Sequence, residues 1–169
     1  MNLCLLRHAI AAEASMNVAD HDRSLTKEGI AKLRRVVRGM RAMGLSFDCI
    51  LSSPLLRARQ TAEIVAKAVL AKGEVKVTNQ LAPNGRHEAL LRELARLAPA
   101  SGEVLLVGHE PQLSRLISLL VTGSTDCSFT MKKAGLCLVR METVRPGHGT
   151  LEWLLTPKQL SLMRGGSRS

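Results

Sequence analysis

Three short apolar runs, each broken abruptly by polar residues, constrain this chain more than anything else in it. Residues 3–6 end in Arg7-His8, Ile50-Leu51 leads through Ser52-Ser53-Pro54 to Arg57, and residues 104–107 end in Gly108-His109-Glu110-Pro111. Runs this short and this apolar read as strands buried in a sheet, each delivering polar residues at its C-terminal edge. In a parallel α/β sheet such strand ends fall along one edge, where ligands of these sheets bind. That edge would gather two arginines and two histidines.

The segments between the runs fit helices. Thr26 is the expected N-cap of a helix reaching Met43 and stopping at Gly44. Its buried stripe would be Ile30, Leu33, Val37 and Met40, with Arg34, Arg38 and Arg41 on a solvated opposite face. Residues 48–52 read as a second strand, followed by a helix capped by Ser53 with Pro54 at its first position, ending at Gly73. Residues 75–77 fit a short strand, 86–97 a helix with Leu90, Leu91, Leu94 and Leu97 inward, and 103–107 a third buried strand. Pro111 opens a helix that packs Leu113, Leu116, Ile117 and Leu120, and strands over 134–141 and 149–155 flank a turn at 145–149. Residues 11–25 read as a polar loop. The expected organisation is one domain over 1–157 and a basic, flexible tail over 158–169.

The 169 residues fit a single domain, and an apolar content of 46% is enough to build its core. The formal charge of +10 favours acidic or phosphorylated partners. With no Tyr, one Trp and two Phe, the chain has few side chains on which bases could stack, which argues against nucleic acid. No apolar run is long enough to cross a bilayer, and the first run lacks a preceding basic region and breaks at Arg7, unlike a secretory signal. Cys4, Cys49, Cys127 and Cys137 show no metal-ligand spacing and fit small core residues of a cytoplasmic protein.

The chemistry implied by the strand ends is phosphoryl transfer. A neutral imidazole attacks phosphorus readily once the phosphoryl charge is neutralised, which makes His8 the candidate nucleophile. Arg7 and Arg57 would supply that neutralisation, each guanidinium matching two phosphoryl oxygens. Arg57 falls in the first turn of a helix, whose amides add to an anion site, and His109 could donate a further bond. This arrangement calls for no metal and no cofactor, and His21 and His148, in polar loops, stand apart from it.

Four blocks carry a family resemblance: Leu6-Arg7-His8-Ala9, Arg23-Ser24-Leu25-Thr26-Lys27-Glu28-Gly29, Ser52-Ser53-Pro54-Leu55-Leu56-Arg57-Ala58-Arg59-Gln60-Thr61, and Val107-Gly108-His109-Glu110-Pro111. In order and context the chain resembles the histidine phosphatase superfamily, most of all its small protein-histidine phosphatases of the SixA type. The ending Leu151-Glu152-Trp153-Leu154-Leu155-Thr156-Pro157 is also similar to theirs. The resemblance implies a three-layer α/β/α domain with a mostly parallel sheet of phosphoglycerate-mutase-like topology. It implies phosphorylation at His8, phosphate binding by Arg7, Arg57 and His109, and a place for Arg23 near the pocket. The implied substrate is a histidine-phosphorylated protein of a phosphorelay or phosphotransferase system.

Three departures bear on that expectation. Ala9 stands where Gly is usual. Residues 79–85 hold no carboxylate to serve as general acid, leaving His87 and Glu88 as stand-ins, which would handicap alkyl phosphate esters more than a phosphoramidate. Residues 72–102 are too few for a cap over the pocket, which suits a phosphorylated protein side chain. Two rival readings remain at this level: a small-molecule phosphatase or mutase of the same superfamily, and a non-catalytic protein that binds phosphate or nucleic acid.

Overall fold

The computed structural model describes residues 1–14, 18–69, 75–97 and 102–163. Six strands, β1 (Asn2–Arg7), β2 (Cys49–Ser52), β3 (Val75–Val77), β4 (Glu103–Gly108), β5 (Leu136–Met141) and β6 (Gly149–Leu155), form one sheet in the order β3-β2-β4-β1-β5-β6. The first four in that order run parallel; β5 is antiparallel to β1, and β6 to β5. The helices are α1 (Lys27–Ala42), α2 (Leu56–Val69), α3 (His87–Leu97), α4 (Gln112–Thr122) and α5 (Pro157–Leu162). This is the α/β architecture that the strand-helix alternation implied.

The apolar runs are continuous because the central strands are covered on both faces. In β1 the period of two sends Cys4 and Leu6 to one face, where α1, α2 and α5 pack Leu33, Val36, Met40, Ala62, Val65 and Leu160. Leu3 and Leu5 face the other way, against Leu90 and Leu94 of α3 and Leu113, Leu116 and Leu120 of α4. Burying each such leucine fully is worth roughly 1.5–3 kcal/mol, so the two layers hold the sheet from both sides.

The same layering positions the site. β1 and β4 are neighbours, but the helix following β1 lies on one face and the helix following β4 on the other. The two chain segments therefore part at the C-terminal ends of β1 and β4, opening the crevice in which open α/β sheets bind ligands. Residues 75–97 are taken up by β3, a 3-10 turn (Asn79–Leu81) and α3, and add no cap over that edge.

Several local expectations need correction. The second helix starts at Leu56, two residues beyond Pro54: its first backbone bonds run from the Ala58 and Arg59 N–H groups to the Leu55 carbonyl at 2.9 and 3.1 Å, while the Ser53 hydroxyl accepts the Leu55 N–H at 3.3 Å and also meets a histidine ring. Its expected end at Gly73 lies outside the described residues. Ile30 and Leu97 are only half-buried, and Val36 joins the α1 stripe. The segment after 157 does not begin as a frayed tail: Thr156 and Gln159 form a reciprocal capping box, Pro157 opens α5, and Leu160 is fully buried. Residues 164–169 lie outside the described part.

Candidate active site

The strand register brings the site together before any side chain is considered. Arg7 of β1 pairs with Gly108 of β4, and the His8 amide donates to the Gly108 carbonyl at 3.0 Å. His8 and His109 therefore leave adjacent strand ends side by side, with ring centroids 5.0 Å apart. On the far side of β4, Ser52 of β2 pairs with Val107, so Ser53 arrives beside His109, and the first turn of α2 carries Arg57 to the same edge. His8, Arg57 and His109 are 6%, 5% and 2% exposed. Arg7 is half-buried, its Nη1 donating to the Met131 carbonyl at 2.7 Å.

Hydrogen bonds fix what each imidazole can do. His8 Nδ1 lies 2.7 Å from the Ala9 carbonyl oxygen, which can only accept. The ring proton therefore sits on Nδ1, and Nε2 keeps its lone pair. His109 Nε2 lies 2.8 Å from the Ser53 hydroxyl, which also accepts the Leu55 N–H. If that hydroxyl hydrogen points to Nε2, His109 carries its own proton on Nδ1; the converse leaves a buried hydroxyl hydrogen with no acceptor among the described residues. His109 Nδ1 and Arg7 Nε are both buried without a protein partner. Unpaired buried donors are rare, and an oxyanion is a group able to satisfy them.

Electrostatics keep both rings uncharged. Burial, reinforced by the charges of Arg57, Arg7 and Lys133 and opposed by the Ala9 bond, pushes His8 down to about 4. Burial and the proximity of His8 and Arg57 push His109 down to about 3. At neutral pH the site thus offers a neutral imidazole beside two guanidinium charges, an arrangement able to attack a phosphoryl group while neutralising its oxygens.

Arg23 joins this group indirectly. Its Nη1 donates to Asp20 Oδ1 at 2.7 Å and its Nε to the Ala12 carbonyl at 2.7 Å. Asp20 Oδ2 in turn accepts from Arg57 Nη2 at 3.1 Å, and the Asp20 carbonyl from Arg57 Nη1 at 2.6 Å. Asp20 therefore bridges the two arginines, and its bonds to Arg23 and Arg57 hold its carboxyl below the usual range. Nothing in the 11–25 sequence singles out Asp20 among its acids. Thr61 and Gln60, in the block that contains Arg57, also take part. Thr61 accepts the Ala9 N–H at 3.1 Å and donates to the Arg57 carbonyl at 2.7 Å, tying the turn after His8 to the helix carrying Arg57. Gln60 accepts the Leu25 N–H at 2.8 Å and anchors the loop that delivers Asp20.

The stand-in acids fall elsewhere. His87 donates to the Gln112 carbonyl at 3.1 Å, fastening α3 to α4, and Glu88 is exposed. A different carboxyl, Glu110, follows His109 directly; burial pushes it up, one of its oxygens accepts from Ser114 at 2.6 Å, and the other is buried without a partner. His21 and His148 are exposed, as expected. Among the described residues no three His, Cys, Asp or Glu side chains converge.

Residues 3–83 match the family model of the histidine phosphatase superfamily, branch 1. An uncharacterized protein of Picosynechococcus is 40% identical over 146 residues, covering 86% of this chain and 88% of that protein. The phosphohistidine phosphatase SixA of Escherichia coli is 28% identical over 167 residues, covering 97% of this chain and 99% of its own length. A solved structure of the protein histidine phosphatase SixA complexed with tungstate superposes with a TM-score of 0.83 at 27% identity, over 95% of this chain and 99% of that one.

Proposed function

The chain belongs to the histidine phosphatase superfamily, a SixA-like phosphatase in sequence and fold, and from that premise we propose that it removes the phosphoryl group from phosphohistidine on a carrier protein. The observation that carries this reading is the tautomer of His8: its Nδ1 proton is engaged by the Ala9 carbonyl, so Nε2 points its lone pair from a ring that burial keeps neutral.

The reaction runs in two displacements. His8 Nε2 attacks phosphorus, the P–N bond to the substrate imidazole breaks, and that imidazole leaves as a neutral ring carrying a proton taken up on the way. Water then attacks the phosphorus carried on Nε2, a P–O bond forms as the second P–N bond breaks, and inorganic phosphate departs with the water's protons, leaving the His8 lone pair restored. Arg7 and Arg57 bind the equatorial oxygens and His109 Nδ1–H donates to them, the charge stabilisation that dominates phosphoryl transfer. Asp20 and Arg23 hold the Arg57 fork in place. Asp20 is ionised at neutral pH and has no proton to give, which favours a leaving group that picks up its own. An imidazole does so; an alkoxide does not. The uncapped sheet edge leaves room for a protein side chain.

The test is phosphate release from free phosphohistidine and from a panel of histidine-phosphorylated carriers. Wild-type protein is expected to release phosphate and, on rapid quench, to yield an acid-labile, base-stable phosphoenzyme; His8→Ala is expected to do neither. Near-normal turnover by His8→Ala would remove the nucleophile from this account.

A further inference from the structure

A groove of about 730 Å³ is lined by Arg7 and Ala9 at the catalytic edge and by residues of α1, α5 and the turn at 132–134. Its lining combines aliphatic side chains, Ile10, Ala134, Pro157 and Leu162, with basic ones, Lys32, Arg35, Lys132, Lys133 and Lys158. No lining residue is acidic. Glu28 nearby pairs with Lys32 at 2.5 Å, whereas Arg35, Lys132, Lys133 and Lys158 have no ion pair among the described residues.

The groove is built onto the catalytic edge. The Ala134 N–H donates to the carbonyls of Arg7 and His8 at 3.0 and 3.2 Å, and Arg7 Nη1 reaches back to Met131. The turn bearing Lys132 and Lys133 is thereby clasped to the end of β1, close enough for the Lys133 charge to act on His8. α5 lies against α1 where Gly39 lets the Leu160 backbone approach; Arg35 of α1 and Lys158 of α5 both line the groove, and Leu162 is 69% exposed.

We propose that this groove docks an acidic amphipathic segment adjoining the phosphohistidine of the carrier, a proposal that rests on the phosphohistidine reading above. An amphipathic segment sets its aliphatic side chains against apolar ones and its charges against charged ones, and here the basic side chains call for an anionic partner. Electrostatic complementarity of this kind steers encounter and fixes register. The lining contains no aromatic ring on which a base could stack, which sets a protein segment ahead of nucleic acid. Because the groove opens at Arg7 and Ala9, a segment lying in it delivers its neighbouring phosphohistidine to His8.

The probes are a synthetic peptide with one phosphohistidine beside a helix bearing glutamate and leucine, its counterpart with lysine for glutamate, and free phosphohistidine. Wild-type protein is expected to prefer the acidic peptide by about tenfold or more in kcat/KM, through KM, with the preference fading as salt rises. Arg35→Glu/Lys158→Glu changes two exposed positions that share no hydrogen bond with His8, Arg57 or His109. It is expected to keep wild-type turnover of free phosphohistidine, to lose about tenfold on the acidic peptide, and to gain on the lysine peptide. An unchanged KM for the acidic peptide in the double variant overturns the docking groove and leaves the phosphohistidine reading standing. Absence of turnover on every phosphohistidine probe overturns that reading instead, and the groove is then decided by fluorescence anisotropy of the unphosphorylated acidic peptide: weaker binding to the double variant sustains it, equal binding overturns it. A single-stranded oligonucleotide that binds the wild type more tightly than this peptide, and is lost in the double variant, overturns a protein segment as the occupant.

Discussion

At the scale of single residues, the site depends on keeping two adjacent imidazoles uncharged. Both are held below the ordinary histidine value of 6.5, His8 to about 4 and His109 to about 3, chiefly by burial and then by neighbouring positive groups. The folded state therefore binds these protons more weakly than the unfolded chain, so stability is lost as pH falls from about 6.5, down to about 4 for His8 and about 3 for His109. In the substrate-free protein, ring ¹⁵N shifts of His8 and His109 should stay those of neutral imidazole from pH 8 to about 5 and change only below it. A His8 midpoint near 6.5 would show that the ring is solvated and that the arginines do not act on it. Arg57 should be hard to replace for a different reason. Its loss removes a charged, preorganised donor and is expected to cost about 2–4 kcal/mol in kcat/KM, of which Arg57→Lys should recover only part, because an ammonium cannot match two oxygens while also holding Asp20. Equal kcat/KM for Arg57→Lys and wild type would refute the fork.

At the scale of elements, what could be read from the sequence was what short-range physics dictates. The buried strands, the Thr26 cap and the Gly44 stop all announce themselves locally, and the register of parallel strands then brings Arg7, His8, Arg57 and His109 to one edge. Asp20 was not legible, because its role arises only when the loop folds onto α2. The α5 helix has a local signal, since Thr156-Pro157-Lys158-Gln159 is a capping box with Pro at its first position, but the basic, glycine-containing residues behind it read as a tail. Gly39 carried a further signal. A glycine inside a helix costs about 1 kcal/mol relative to Ala and needs a reason, and here a Cβ would stand 1.9 Å from the Leu160 carbonyl oxygen. Gly39→Ala should therefore destabilise the protein by about 1–3 kcal/mol despite the gain in helix propensity. Calorimetry should show a lower Tm, and hydrogen exchange should show α5 losing protection. An unchanged Tm would mean that α5 does not depend on this close approach.

At the scale of the whole molecule, an uncapped edge and a shortage of proton donors act together on substrate choice. The 79–85 segment supplies no carboxylate, Asp20 is ionised, and Glu88 is exposed on α3, so Glu110 is the carboxyl best placed to hold a proton beside His109. It is held by Ser114 and feels the charge of Arg7, which works against its burial. Phosphohistidine needs little from such a group, because its leaving nitrogen is protonated from solvent, whereas an alkyl phosphate must find a donor within the site. Wild-type kcat/KM should accordingly be far higher for a phosphohistidine carrier than for a sugar phosphate under the same conditions. Glu110→Gln and Glu88→Ala should each change phosphohistidine turnover by less than about tenfold, or about 1.4 kcal/mol, while Glu110→Gln should depress whatever alkyl phosphatase activity exists. A sugar phosphate that outperforms the carrier, or a Glu110→Gln protein inactive on both substrates, would establish an internal general acid and move this chain to the small-molecule phosphatases of its superfamily.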